Sequence, residues 1–336
     1  MNNSSPPPSL RQIAEAVGVS RMMVSRAFSP EASIRPEMRV KILKKAEEMG
    51  YKPDHMVSEL MSSFAARKPV TYQETVAVIW WPARWKGVKN MHSYAQQTCK
   101  GLESGAQHHG FKLEHIPLTP DLNAKALNRI LKARGIQSII ITPSNDADIP
   151  APELDWQDFS AVHIGSSLKD PPLHRSQVSH FYSMIHALEQ IHQKGYRRPV
   201  LMLDMDFEAR THRAYSAAFM AWETGGENRI FRSKIENASE KVGWLKKMDP
   251  DMIIGNKSQW HAFQKAHCPE MGFASMSCFR DDGIIAGILQ PFALIAESAV
   301  DLVMNARLRK ETGIPEIPKT LLHNGKWVEG SSLRPS

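Results

Sequence analysis

The residues best suited to chemistry stand close together near the start of the chain, in the run Ser20, Arg21, Met22, Met23, Val24, Ser25, Arg26. Hydroxyls and guanidinium groups at this spacing suit contacts to a polyanion. The arginine fork matches guanine O6 and N7 as well as phosphate oxygens, while methionine can add only apolar contact, for example with a thymine methyl. Such residues need a rigid element to present them. Ser9 and Gln12 have the spacing of a capping box, and Ile13, Ala14 and Val17 recur at helical intervals. Gly18 can take the positive φ that ends a helix, and Ser20 is placed to cap a second one. With Val24, Ala27 and Phe28 facing inward, Arg21, Met22, Ser25 and Arg26 point out, and Ser20 and Ser25 are expected at phosphates. This pattern predicts a helix-turn-helix whose second helix enters the DNA major groove.

A third amphipathic helix is expected over 36–49, with Pro36 at its first position and Ile42, Leu43, Ala46 and Met49 on one face. A short helical pattern, His55 to Phe64, follows. Residues 65–75 break the helical pattern as a linker. The predicted division is a headpiece over 1–53, a hinge helix and linker over 54–75, and a large domain over 76–336.

The chain of 336 residues carries a formal charge of +7. Eleven Lys and Arg stand against seven Asp and Glu in residues 1–68, so over half of the excess lies in a fifth of the sequence. That concentration fits a phosphate-binding headpiece. Cys99, Cys268 and Cys278 are few, odd in number and widely spaced, which fits a reducing compartment and a cytoplasmic, nucleoid-associated protein. The polar, proline-rich start does not read as a signal peptide, and no apolar run reaches the ~18–20 residues of a membrane span.

Beyond residue 75, short apolar runs alternate with helical patterns. Strands are expected at 76–81, 111–118, 138–142, 161–165, 199–204, 229–235 and 251–255, with helices around 94–109, 124–133 and 183–194. This rhythm implies parallel βαβ units, and about ten strands are too many for one sheet, so two doubly wound lobes are predicted. Catalytic motifs are missing. No Walker loop, dinucleotide fingerprint, zinc-protease helix or nucleophile elbow appears. Asp204 and Asp206 after a strand read as a sheet-mouth pair rather than reacting carboxylates, and His108-His109 as cations at a helix end. No cofactor or metal is called for, and the expectation is that the protein is not an enzyme.

The runs IAEAVGVSRMMVSRAF (13–28) and MRVKILKKAEEMGYKP (38–53) resemble the headpiece of the lactose-repressor (LacI) family of bacterial transcription regulators. The chain departs from the family's usual residues at Met23, Arg35, Asp54 and Val57. Weaker similarities continue through HQKGYRRPVLML (192–203), KKMDPDMIIGN (246–256), GILQPFALIAESAVDLV (287–303) and WVEGSSL (327–333). The resemblance implies a helix-turn-helix headpiece on a two-lobed core like that of periplasmic binding proteins. It also implies a homodimer on a pseudo-palindromic operator, with repression controlled by a small effector of the sugar or sugar-derivative class. Ser20, Arg21, Met22, Met23, Ser25 and Arg26 would then face DNA, and Leu60 would wedge into the minor groove. Loops after strands should line the effector cleft. Tyr94, Ser144, Arg210, Asn256 and Asp281 are the candidates, with Arg213 an alternative to Arg210. Trp80, Trp81 and Trp85 could stack on a ligand or pack in a core. Two other readings are a solute receptor with a degenerate headpiece, selected by lack of operator binding, and an enzyme on the same scaffold, selected by turnover.

Overall fold

The continuous apolar run at 76–81 is what a strand buried on both faces requires, and it sets the architecture of the large domain. The computed structural model describes residues 10–28, 34–49, 51, 74–81, 93–144, 150–222, 226–233, 238–256, 259–260 and 271–334. The chain divides into two units, Met1–Thr71 and Tyr72–Ser336. In the first, α1 (Leu10–Val17), α2 (Arg21–Ala27) and α3 (Pro36–Glu48) close on Ile13, Ala14, Val24, Ala27, Ile42 and Ala46. Gly18 has φ +79° and hands the chain from α1 to α2. Leu43, expected on the buried face of α3, is 38% exposed, because Ile42 and Ala46 fill the groove between α1 and α2.

The second unit holds two six-stranded sheets. The first lobe runs β1 (Glu74–Trp80), α4 (Ser93–His109), β2 (Phe111–Pro117), α5 (Ala124–Ala133), β3 (Ser138–Ile141), β4 (Ser160–Ile164) and β5 (His174–Val178). The second runs α6 (His180–Gln193), β6 (Pro199–Asp204), α7 (Met205–Arg210), α8 (Ala214–Ala221), β7 (Ile230–Ser233), α9 (Ala238–Met248), β8 (Met252–Gly255), β9 (Gly272–Cys278) and β10 (Ala286–Leu289). The chain then returns through α10 (Phe292–Leu308) to β11 (Thr320–His323) in the first sheet, and ends in β12 (Lys326–Val328) of the second. The strand orders are β11-β5-β4-β3-β1-β2 and β12-β10-β9-β8-β6-β7. Every pairing is parallel except β12 with β10.

Alternate side chains of β1 serve opposite faces of the first sheet. Val76, Val78 and Trp80 pack with α4 and α10 around Leu102, Ile295 and Val300. Ala77 and Ile79 pack with α5 around Leu127 and Leu131. Trp80 and Trp81 therefore belong to the core, and Trp81 Nε1 donates to the Thr142 carbonyl at 2.7 Å. Trp85 lies outside the described residues. Gly101 lets α4 approach α10 closely, since a Cβ there would overlap the Ala293 carbonyl. The second lobe repeats the plan, with Leu201 and Leu203 on one face of β6 and Val200 and Met202 on the other. Burial pushes the thiols of Cys99 and Cys278 up to about 11, so both behave as small core residues.

His163 in the middle of β4 is fully buried. Its Nε2 accepts from the Leu168 amide at 3.3 Å, which leaves Nδ1–H to donate to the Ile141 carbonyl at 3.1 Å. The neutral ring is thus satisfied on both sides, and a second proton would set N–H against N–H. Burial first, then the charge of Arg175, push its pKa down to about 3. Between there and the ordinary value of about 6.5, the unfolded chain holds the proton that the folded one refuses. Stability should therefore be complete above about pH 6.5 and fall with pH below it, by roughly 1.4 kcal/mol per pH unit from this group. Urea unfolding at pH 7 and 5 measures the loss. His163→Asn, which does not titrate and can keep the bond to the Ile141 carbonyl, should flatten the slope, and an equal slope in the two proteins would disprove the assignment.

Candidate functional site

Two surfaces concentrate functional groups, one in each unit. On the headpiece, Ser20 has extended backbone, and its Oγ accepts from the Met23 amide at 3.2 Å, as an N-cap should. This cap fixes where α2 begins and so which residues it turns outward. Arg21, Met22, Met23 and Arg26 are exposed, Met22 by 68% and Met23 by 39%. A methionine so exposed beside two arginines is an unusual surface for a small helical unit. Behind it, Phe28 packs on Tyr51 with ring centroids 5.3 Å apart. Ser25 lies on the same helix. Leu60, Ser9 and the pattern from His55 to Phe64 lie outside the described residues.

In the large domain the carboxyl ends of the two sheets meet around a cavity of about 460 Å³. Its walls come from residues just past β3 (Pro143, Ser144), β4 (Gly165 to Ser167), β8 (Asn256), β9 (Phe279) and β10 (Gln290). Helix α7 adds Phe207 and Arg210, and the starts of α4 and α10 add Tyr94 and Phe292. Four of the five expected residues, Tyr94, Ser144, Arg210 and Asn256, are brought together here. Asp281 is not among the lining residues and is exposed, because β9 ends at Cys278 and the chain turns outward through Gly283, at φ +69°. The backbone places Arg210 in the cavity wall and Arg213 outside it. His212 and Arg213 both adopt left-handed φ, of 52° and 58°, so the helix breaks after Arg210 and Arg213 faces solvent.

Arg210 reaches across the cavity. Its Nη1 donates to the Ser144 carbonyl of the opposite lobe at 3.5 Å, its Nε to the Asp206 carbonyl at 3.3 Å, and its Cζ stands 5.5 Å from the Phe207 ring centre. Ser166 Oγ, from the first lobe, donates to the Arg210 carbonyl at 2.7 Å. With that proton committed, Ser166 Oγ can only accept from His180 Nε2 at 3.3 Å, so His180 Nδ1 faces Tyr215 Oη, at 3.2 Å, as an acceptor. The His180 pKa is pushed down to about 4, first by burial and then by His212 and Arg210, so the ring is neutral at pH 7. Burial also raises the Tyr215 phenol, which stays protonated.

Sequence reasoning missed Ser166, His180, Tyr215 and Gln290. The last two occupy ordinary-looking helix and strand-end positions. His180 and Ser166 acquire meaning only once β5 is recognised, and its sequence HRSQV carries no apolar run. The remaining candidate chemistry resolves into structure. Asp204 caps α7, accepting from the amides of Asp206 and Phe207 at 2.9 and 3.1 Å. His109 pairs with Asp301 at 2.7 Å. Among the described residues no cluster of three or more metal-ligating side chains occurs, and no helix is long and apolar enough to cross a membrane.

Residues 9–54 match the family described as bacterial regulatory proteins, lacI family. The HTH-type transcriptional regulator GalR of Lacticaseibacillus casei is 32% identical over 111 residues, which is 32% of this chain and 30% of that protein. The match thus spans under a third of the length of this curated relative. Among solved structures, the complex of transcriptional regulator CelR with cellobiose aligns over 95% of this chain and 98% of that one, at 14% identity and a TM-score of 0.54. A putative LacI-family regulator from Rhizobium etli aligns over 77% and 98%, at 14% identity and a TM-score of 0.58. The LacI-family regulator CCPA from Weissella paramesenteroides with bound glucose gives 77% and 98%, 13% and 0.54. At these identities the likeness is one of fold. Fold and sites together define a helix-turn-helix headpiece followed by a two-lobed α/β core with a cavity between its lobes. Residues 9–54 are similar to the headpiece of the lacI family of bacterial regulatory proteins, and the fold of the core is similar to that of regulators such as CelR.

The cap on α2 makes a first test. Ser20→Ala should cost about 1 kcal/mol in the headpiece and leave the core unchanged. Amide hydrogen exchange should quicken over 10–28 and not over the strands of the large domain. Unchanged exchange over 10–28 would show that the cap contributes nothing.

Proposed function

We propose that the protein is a DNA-binding transcription regulator, acting as a repressor, whose operator affinity is set by a small molecule held between the lobes of its core. The outward face of α2 carries this reading: Arg21, Met22 and Arg26 stand exposed on a helix whose start is fixed by the Ser20 cap, within the segment that matches the lacI family. In the major groove the arginines would take guanine edges or flanking phosphates, and Met22 would add apolar contact. The interlobe cavity supports the second half of the reading. Structures of the same fold hold cellobiose in CelR and glucose in CCPA. Two copies of the chain would read two half-sites, so the operator should be a pseudo-palindrome. A ligand that favours one arrangement of the lobes would shift the population of DNA-competent dimer by its difference in affinity for the two arrangements.

The test is selection of DNA from a random pool by the full chain. A pseudo-palindromic consensus is expected, with affinity falling steeply with salt as phosphate contacts release counterions. Met22→Gln should change base preference at one or two symmetric positions, with shifts of ~1–3 kcal/mol. An identical consensus for both proteins would remove Met22 from the reading face. Selection that enriches no sequence would favour a solute receptor over a regulator.

A further inference from the structure

A ligand must match the groups that line its cavity, and here the protein has already used most of the donors it places there. Ser166 Oγ gives its proton to the Arg210 carbonyl, and Thr211 Oγ1 gives its own to the carbonyl of Phe207. Gln290 Nε2 donates to the Met276 carbonyl at 3.0 Å. Backbone amides past the strand ends are spent as well, that of Ser144 on Ser167 Oγ, that of Asn256 on Gln259 Oε1 and that of Ser277 on Ser275 Oγ. The Arg210 guanidinium is tied to the carbonyls of Ser144 and Asp206, and Arg210, Tyr94, Ser144 and Asn256 all have further interactions within the protein.

Acceptors are left over. The carboxamide oxygens of Gln177 and Gln290, both lining residues, are buried without hydrogen-bond partners. Gln290 is the less approachable of the two. Its Nε2 is held by Met276, and its oxygen stands so near Gly325 that a Cβ on that glycine would come to 3.0 Å from it. Gln177, on β5, therefore offers the acceptor at the cavity wall. The last torsion of a glutamine is broad, so this oxygen can turn toward a donor that arrives.

The rest of the wall is apolar and largely aromatic. Tyr94 meets Phe292 edge-on with centroids 4.6 Å apart, and Phe279 stacks on Phe292 at 5.7 Å. Ile164, Val178 and Ile295 extend it. A polyol brings many hydroxyls, each an acceptor as well as a donor, and each one left without a partner costs free energy. The described lining holds no carboxylate that could gather them. An anion brings acceptors alone, which engaged donors do not await.

We infer that the cavity takes a neutral aromatic molecule of one or two rings with a single O–H or N–H donor, given to Gln177 Oε1, its ring extending the cluster of Tyr94, Phe279 and Phe292. Aromatic rings join such clusters edge-on or offset, as these three do with one another. The volume of about 460 Å³ lies in the ordinary range of small-molecule sites, roughly 300–1,000 Å³. This inference rests on the reading of the cavity as the effector site.

The experiment is a thermal-shift and calorimetric screen of the full chain with phenol, 4-methylphenol and indole, with their methylated counterparts anisole, 4-methylanisole and 1-methylindole, and with benzoate, glucose and cellobiose. At least one compound that carries a donor should bind saturably and raise the melting temperature, and its methylated counterpart should bind at least tenfold more weakly. Methylation also adds bulk, so the variant decides. Gln177→Leu, which keeps the size and removes the acceptor, should bring the pair to within about twofold, while Gln177→Glu, which keeps an acceptor, should retain a preference for the donor. An undiminished gap in Gln177→Leu overturns the assignment of the acceptor. Binding of benzoate or a sugar without any phenol or indole, or of no compound at millimolar concentration, overturns the ligand class and leaves operator binding to be read separately. A phenol or indole that binds through Gln177 but leaves operator affinity unchanged upholds the ligand class and overturns the regulatory reading.

Discussion

Where the two lobes meet at the cavity, a single hydroxyl holds both sides. Ser166, on the loop after β4, gives its proton to the Arg210 carbonyl and its lone pair to His180. The first bond crosses from lobe to lobe at the end of α7, and the second reaches the residue at which the chain itself crosses between sheets. Because Ser166 donates only once, the imidazole proton of His180 sits on Nε2 and Nδ1 accepts, while the Tyr215 hydroxyl has both that Nδ1, at 3.2 Å, and the Met276 carbonyl, at 3.5 Å, within reach. Such a network keeps its strength only while His180 stays neutral. A buried imidazolium there would face Arg210 and lose its bond from Tyr215. The position of the helix end that presents the Arg210 guanidinium is thus fixed by groups from both lobes, not by α7 alone, which is barely two turns long.

Parallel sheets explain why all of this gathers in one place. In each lobe all strands but the antiparallel β12 run the same way, so their carboxyl ends share an edge, and the loops leaving that edge run over the surface. The connections between β5 and α6 and between β10 and α10 lie at the same edges, which puts His180 and Gln290 beside the cavity. A ligand seated there touches both lobes and the segments that join them. By mass action it stabilises whichever lobe arrangement it fits, and the amount grows with the logarithm of its concentration above Kd.

Much of this was legible in the sequence where burial writes a simple pattern. The run VAVIWW announced a strand covered on both faces, and the structure covers both faces of β1 with α4, α5 and α10. Helix α5 follows its predicted span because Asn123 caps it and Leu127 and Leu131 hold one face. The sequence was opaque where strands are held by pairing rather than by apolar content. Strand β5 reads HRSQV, and its alternate residues are buried only because β4 and β11 flank it. Among the described residues the twelve strands exceed the ten expected for the same reason, since TLLH at β11 exposes its leucines, at 41% and 54%, on the edge of the sheet. At the site, Arg210 and Ser144 were legible because a rule places ligands past strand ends. Which arginine lines the cavity was not, because it turned on two successive left-handed residues, His212 and Arg213, that are rare without glycine.

The headpiece shows the same coupling of local conformation to function, at a cost the free protein bears. Arg21 occupies the first position of α2, where the unsatisfied amides and the helix dipole disfavour a cation by roughly 0.3–1 kcal/mol. Met22 beside it exposes apolar surface that no residue of the unit covers by more than a third. Neither choice helps helices α1 to α3 to fold on their core of Ile13, Val24, Ile42 and their neighbours. Both become favourable when a polyanion with an apolar methyl edge is brought to that end of the helix. The phosphates reverse the sign of the electrostatic term at Arg21, and burial of Met22 recovers transfer free energy of about 25 cal/mol per Å². In such a complex the arginines would supply most of the attraction, whatever the sequence, and discrimination would fall on whichever side chain meets a base edge rather than a phosphate. On α2 the neutral, protruding Met22 is the residue least able to spend itself on the backbone.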